Sequence, residues 1–239
     1  MYRINLFIKS SIIVGLTLIF FSCKNNNQKK AEEKKVEDTT TVQTPVKSTL
    51  KLIMIQYTVT GFEKWKEGYK ASESIRTAYG IDHVAYGYGI DNPKKAIVMD
   101  RFSDLQKTKV YTSTPILQEA MQKAGVTGLP KVSFIEVIRV EGSSGVEPKE
   151  RVMITQHVKD VDAWVKAFDE EGKTKRMEFG LSDRAIGHEM DDPNLLYVTF
   201  VVTDIKKAKA RMKSAEMKKW LKVAGMQGNP DIFFYIITE

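Results

Sequence analysis

From Leu52 onward the apolar positions of the chain run in short bursts whose period switches between two and about 3.6, the periods of a strand and a helix. LIMIQYTV (Leu52 to Val59) is rich in β-branched and aromatic residues and has strand length. Phe62, Trp65 and Tyr69 then fall three and four apart, the stripe of an amphipathic helix. HVAYGYGI and AIVMDRF follow as two strands around Asp91-Asn92-Pro93, whose proline presets φ for a tight turn. A second stripe, Leu117, Ala120, Met121 and Ala124, predicts another helix, and VSFIEVI a last strand. The order is βαββαβ, a ferredoxin-like unit.

The same order returns one hundred residues later. Residues 80–138 lie over 180–238 without a gap, and the pairs Met54/Met153, Val59/Val158 and Trp65/Trp164 continue the match at an offset of 99. The second copy reads VMITQHV, the stripe Val161, Trp164 and Phe168, then RAIGHEM, LYVTFVV, the stripe Met217, Trp220, Leu221 and Ala224, and IFFYIIT. AGVTGLP (Ala124 to Pro130) recurs as AGMQGNP (Ala224 to Pro230). Gly125 and Gly225 stand where a helix end favours positive φ, and Pro130 and Pro230 are expected to keep the helix from resuming before the last strand. The repeats occupy 50–139 and 151–239, joined by a linker at 140–150 rich in Gly, Ser and charge.

The strands are apolar on both faces. Ile53, Ile55 and Tyr57 alternate with Leu52, Met54 and Gln56. One face belongs under the helices and the other needs a second cover, since broad exposed apolar faces are rare. The sister repeat is the economical cover. The expected fold class is therefore α+β: two βαββαβ repeats clasped sheet to sheet into one intramolecular, pseudo-dimeric barrel.

The first 22 residues, with Arg3 and Lys9 before an apolar run from Ile12 to Phe21, read as a secretion signal too short to span a bilayer. Cys23, the single cysteine, follows Phe-Phe-Ser and resembles the acylated cysteine of bacterial lipoproteins. Residues 23–49 carry too little apolar surface to offset ordering entropy and read as a flexible tether. These features predict a lipid-anchored protein of the cell envelope, on the periplasmic side, with no internal disulfide. The net charge of +7 draws +2 from residues 1–22 and +2 from the tether, which leaves +3 on the repeats. That balance excludes a phosphate-binding stripe, and no nucleic-acid partner is expected. The expected partners are a membrane through the anchor, a small-molecule ligand and, beyond the internal pairing, a second copy of the chain.

The pattern Gln156, His157, Val158, Asp160, Trp164, the later Asp-Asp-Pro-Asn and the Ala-Gly-x-x-Gly-x-Pro helix end resemble the small dimeric α+β barrel proteins related to antibiotic biosynthesis monooxygenases. The resemblance spans residues 51–239, once per repeat, and implies a dimer fused into one chain. By analogy it implies a cofactor-independent monooxygenase or isomerase, with His157 as general base and a tyrosine or Arg101 as hydrogen-bond donor. Repeat one carries Thr58 where His157 stands, so that role exists once per molecule.

From the residues themselves, Tyr86, Tyr88, Tyr197 and Tyr235 with Gln56, Thr155 and Arg101 are the polar-tipped positions of the sheets, suited either to an apolar or aromatic ligand or to a filled core. His157 and His188 would meet if both faced the lumen. No HxH, HExxH or CxxC spacing marks a metal site, and no metal or cofactor is expected. Three readings remain: a binder of a small apolar or aromatic compound, an enzyme using His157, and a structural envelope protein without ligand.

Overall fold

A computed structural model describes residues 50–142 and 147–238. The signal segment, Cys23 and the tether lie outside the described residues. Each repeat has four strands and two helical segments, and every helical segment is broken once into two short helices. Repeat one runs β1 (Lys51–Val59), α1 (Phe62–Ala71), α2 (Glu73–Ala78), β2 (Ile81–Gly89), β3 (Lys95–Phe102), α3 (Leu105–Thr112), α4 (Pro115–Lys123) and β4 (Val126–Val140). Repeat two runs β5 (Glu150–Val158), α5 (Val161–Glu171), α6 (Lys173–Glu178), β6 (Leu181–Glu189), β7 (Leu195–Val202), α7 (Ile205–Lys213), α8 (Ala215–Val223) and β8 (Met226–Ile237). The breaks have local causes. Gly172 takes φ 82° between α5 and α6, and the Thr114 and Ser214 side chains cap new N-termini at α4 and α8.

All eight strands close into one barrel in the order β1-β3-β2-β8-β5-β7-β6-β4, every neighbour antiparallel. The barrel removes every sheet edge. Two seams join the repeats, β2 to β8 and β4 to β6. They exchange matched contacts: Ile90 N donates to Phe234 O and Met190 N to Phe134 O, while Lys109 pairs with Asp191 and Lys209 with Asp91. That reciprocity is the signature of an isologous two-fold interface, here within one chain.

Glycine makes both seams possible. A Cβ on Gly87 would stand 2.0 Å from Ile236 O, and one on Gly187 would stand 2.7 Å from Ile135 Cγ2 and 2.9 Å from Glu136 O. The outer strand faces pack under the helices as two cores, around Trp65 in repeat one and Trp164 in repeat two. The inner faces build a third core from both repeats, with Met54, Ile97, Met153 and Tyr235 at its centre. The two-sided apolar strands thus find both covers.

One expectation is corrected. The last strands begin directly after Gly125 and Gly225, whose φ values are 80° and 88°, so Pro130 and Pro230 lie inside strands rather than ahead of them. Thr58 pairs with Thr127 and Gln56 with Lys131, so the register breaks across Gly128, Leu129 and Pro130. Proline is tolerated at such a break because no ladder donor is required there.

If the seam needs bare backbone, Gly87→Ala will cost about 3 kcal/mol, the upper range for overpacking, in urea unfolding of the full chain. A loss below about 0.5 kcal/mol, the ordinary scatter of neutral substitutions, would refute this account of closure.

Candidate functional site: the barrel lumen

Alternation along β1 and β5 sends Leu52, Met54, Gln56 and Thr58, and Arg151, Met153, Thr155 and His157, to the inside. Their register partners on β3 and β7, among them Met99, Ile97, Thr199 and Tyr197, share that face. The middle is solid: Met54, Ile97, Met153 and Tyr235 are each at most 3% exposed. Toward the end where β1 and β5 begin, a cavity of about 290 Å³ opens among Leu52, Met99, Ile135, Arg151, Arg184 and Tyr235. Val84 and Val140, roughly half exposed, stand at its mouth.

Val84 and Arg184 line this cavity at a matched pair of irregularities. His83 pairs with Asp100 and Ala85 with Met99, so Val84 is an extra residue on β2. Arg184 is its counterpart on β6. A bulge re-aims the side chains that follow it. Ala85, Gly87, Ala185 and Gly187 therefore face inward, and Tyr86, Tyr88 and His188 face outward.

Aligning the repeats across the cavity shows a division of labour. Leu52, Val84, Met99 and Ile135 of repeat one occupy the positions of Arg151, Arg184, Thr199 and Tyr235 of repeat two. One wall is apolar and the other is polar. Arg151 is 7% exposed and is held by the carbonyls of Pro148 and Glu150 and, at 2.7 Å, by Glu147. Burial lowers its pKa, against the pull of Glu147. Arg184 donates to Glu141 O at 2.6 Å, and its Nε lies 3.9 Å from the same Glu147 carboxylate. Tyr235 Oη is fully buried and has no hydrogen-bond partner among the described residues, although the neighbouring Thr199 hydroxyl favours its ionised form. Burial pushes this hydroxyl up to about 12, with Arg151 opposing. Tyr197 Oη, by contrast, is engaged: it donates to Glu189 at 2.8 Å and lies 2.9 Å from Ser133 Oγ. Burial raises its pKa too.

The expected site residues scatter. Tyr197 and Tyr235 line the cavity. Thr155 is buried in the lumen beyond the solid middle, and Gln56 borders a second cavity of about 340 Å³ at the far end, beside the Lys131–Asp231 pair. Five expected positions are corrected. Tyr86 and Tyr88 pack on Phe62 in the outer core under α1, and His188 shares that outward direction, bonding to Glu189 O at 3.0 Å. His157 and His188 therefore cannot meet. Arg101 has luminal parity but extends into solvent, paired with Asp82 at 3.3 Å. His157 also has luminal parity, yet it sits half exposed on the far rim, 3.6 Å from Asp192, and lines neither cavity. Among the described residues no group of acidic, Cys and His side chains could hold a metal ion, and no helix is long and apolar enough to cross a membrane.

Arg151, Arg184 and Thr199 are the polar cavity residues that sequence reasoning passed over. A signal for them exists: each is polar where the aligned position of the other repeat is apolar. Two further polar clusters lie under the helices. In repeat one, Tyr69 Oη donates to Asp100 at 2.6 Å, His83 Nδ1 lies 3.1 Å from the same oxygen, and the Arg76 guanidinium stacks 3.6 Å from the Tyr69 ring. In repeat two the matching space holds ions: Arg176 grips Asp183 through 2.7 and 2.6 Å bonds, and Arg211 pairs with Glu171 at 2.5 Å.

Comparison with known proteins bears on the fold. No protein-family model matches the sequence, and no curated protein is similar to it. Solved structures do match. An anthrone oxidase-like protein superposes with a TM-score of 0.53 at 11% identity, over 82% of this chain and 94% of its own. A proposed monooxygenase of Fusobacterium nucleatum gives 0.51 at 11% identity, and one of Lactobacillus acidophilus 0.50 at 17%, each over 80% of this chain and 94% of its own. The chain has the dimeric α+β barrel fold, with ferredoxin-like halves.

Because Tyr235 is held near 12 when folded and returns to about 10 when unfolded, the unfolded state releases its proton first. The stability it contributes is complete below about pH 10 and lost as pH climbs through about 12. Between pH 9 and 11 the wild-type chain should lose about 1 kcal/mol more than Tyr235→Phe, read by urea unfolding at each pH. Parallel losses in the two proteins would refute the assignment.

Proposed function

We propose that the protein is a binder of a small, largely apolar compound, held in the barrel lumen at the end where β1 and β5 begin. The observation that carries this reading is the unpartnered Tyr235 hydroxyl, buried on the polar wall of an otherwise apolar cavity. Buried polar groups nearly always have partners, and this exception sits within the wall of the chamber, closed from solvent, where a small shift of the ring would let it donate to a guest. A cavity near the lower end of the ligand-pocket range suits a small molecule. The monooxygenase and oxidase names carried by proteins of like fold are compatible with an apolar guest, but fold alone does not transfer chemistry.

The reading extends to the cell. The N-terminal sequence supports a protein tethered to the envelope membrane through an acylated Cys23, its barrel spaced from the surface by residues 24–49. In cells, Cys23→Ala should abolish incorporation of labelled fatty acid and move the protein from the membrane to the soluble fraction. Unchanged labelling would refute the anchor and leave the lumen untouched.

Met99 is partly exposed and lines the cavity, so Met99→Trp fills the chamber with little new strain. A panel of small apolar and aromatic compounds should include some that raise the Tm of the wild-type chain, as linkage requires, and Met99→Trp should remove those shifts. A panel without a single shift, or shifts that survive in Met99→Trp, would refute binding in the lumen.

A further inference from the structure

Charge at the polar wall narrows the class of ligand, on the condition that the lumen reading holds. The cavity lining contains two guanidinium groups, Arg151 and Arg184, and no carboxylate. The acid that touches both arginines, Glu147, lies outside the lining: its Oε2 is 2.7 Å from Arg151 Nη2 and 3.9 Å from Arg184 Nε. One negative charge serves two positive ones. The remaining partners of these arginines are the carbonyls of Pro148, Glu150 and Glu141, which satisfy hydrogen bonds without neutralising charge. Arg101, at the same end of the barrel, is already matched by Asp82. Arg151 and Arg184 thus share Glu147 as their one ion-pair partner, beside an unused phenol donor, while the other acid beside the lining, Glu189, is occupied by Tyr197 Oη and Phe134 N.

A cation kept from water is costly unless paired, and Arg151 is almost wholly buried. Its depressed pKa agrees with incomplete compensation. Opposite these donors stand Leu52, Met99 and Ile135, with Met54 and Met153 at the floor. We infer that the ligand is an amphipathic monoanion, a carboxylate or equivalent acid on an aliphatic or aromatic body, its acid group on Arg184 and Tyr235 and its body against the repeat-one wall. Arg184 is the principal charge contact because its guanidinium is only weakly engaged by Glu147, whereas Arg151 is clamped. Planar guanidinium donors suit a carboxylate's two oxygens. Arg184 keeps the inward direction of the strand before the bulge, and in repeat one the same station holds Val84.

The test uses the full chain and two probes of equal length, decanoate and decan-1-ol, titrated by calorimetry. Decanoate should bind at least about tenfold more tightly, the scale of a hydrogen bond to a charged group. Arg184→Gln should erase most of that ratio while leaving decan-1-ol affinity unchanged, and Arg184→Lys, which keeps the charge, should retain part of it. A wild-type Tm for each variant establishes that it is folded. Equal affinity for the two probes, or a ratio unmoved in Arg184→Gln, overturns the monoanion inference while the lumen reading stands. Failure of both probes to bind, or binding that persists in Met99→Trp, removes the lumen reading as well.

Discussion

Everything in this molecule depends on the close approach of backbones at two seams. A βαββαβ unit leaves one sheet face bare, and in this chain that face is as apolar as the one under the helices. Water cannot be its neighbour. The sister repeat covers it only if β2 reaches β8 and β4 reaches β6, and each approach passes over a glycine with no room for a Cβ. Closure then buries the luminal core, removes the sheet edges and creates the cavity in one step. Tethering two halves in one chain favours this pairing further, because association becomes intramolecular and its effective concentration is fixed by the connection rather than by protein abundance.

The fold was legible in the sequence because its signals are redundant. Each strand, stripe and helix-end glycine occurs twice, at a constant offset, so an ambiguous segment in one copy is settled by the other. Helix breaks at Ser72 and Gly172 were not legible, since the apolar stripes end at Tyr69 and Phe168, before either break. The site was less legible, first because of local register. Parity along a strand predicts the face of a residue only while the pairing is one to one. The extra residues Val84 and Arg184 reverse that parity for everything beyond them, which sends Tyr86, Tyr88 and His188 to the helices. A bulge leaves almost no mark on a hydrophobic pattern when both faces are apolar. His157 and Arg101 show a second limit: parity names a face but not a depth, and both residues sit at barrel ends where the lumen gives way to solvent.

Duplication also explains how a symmetric architecture comes to hold an asymmetric chamber. A two-fold barrel of identical subunits must repeat every luminal residue, so a polar group on one wall is mirrored on the other. Fusion removes that obligation. Repeat one keeps Leu52, Val84, Met99 and Ile135, and repeat two places Arg151, Arg184, Thr199 and Tyr235 at the same stations. An amphipathic guest has two unlike sides, and a lumen with two unlike walls can match both at once, which a strict homodimer cannot do.

The polar clusters beneath the helices diverge in a different manner. Both repeats bury an arginine at the same position, Arg76 and Arg176, each stacked on an aromatic ring. Repeat two answers its arginine with Asp183 and adds the Arg211–Glu171 pair, forming a compensated network. In repeat one the arginine rests on Tyr69, whose hydroxyl, with His83, engages Asp100. Buried ion pairs add little net stability over apolar packing, yet losing one partner is costly. Such clusters therefore constrain what each helix layer can accept more than they strengthen it.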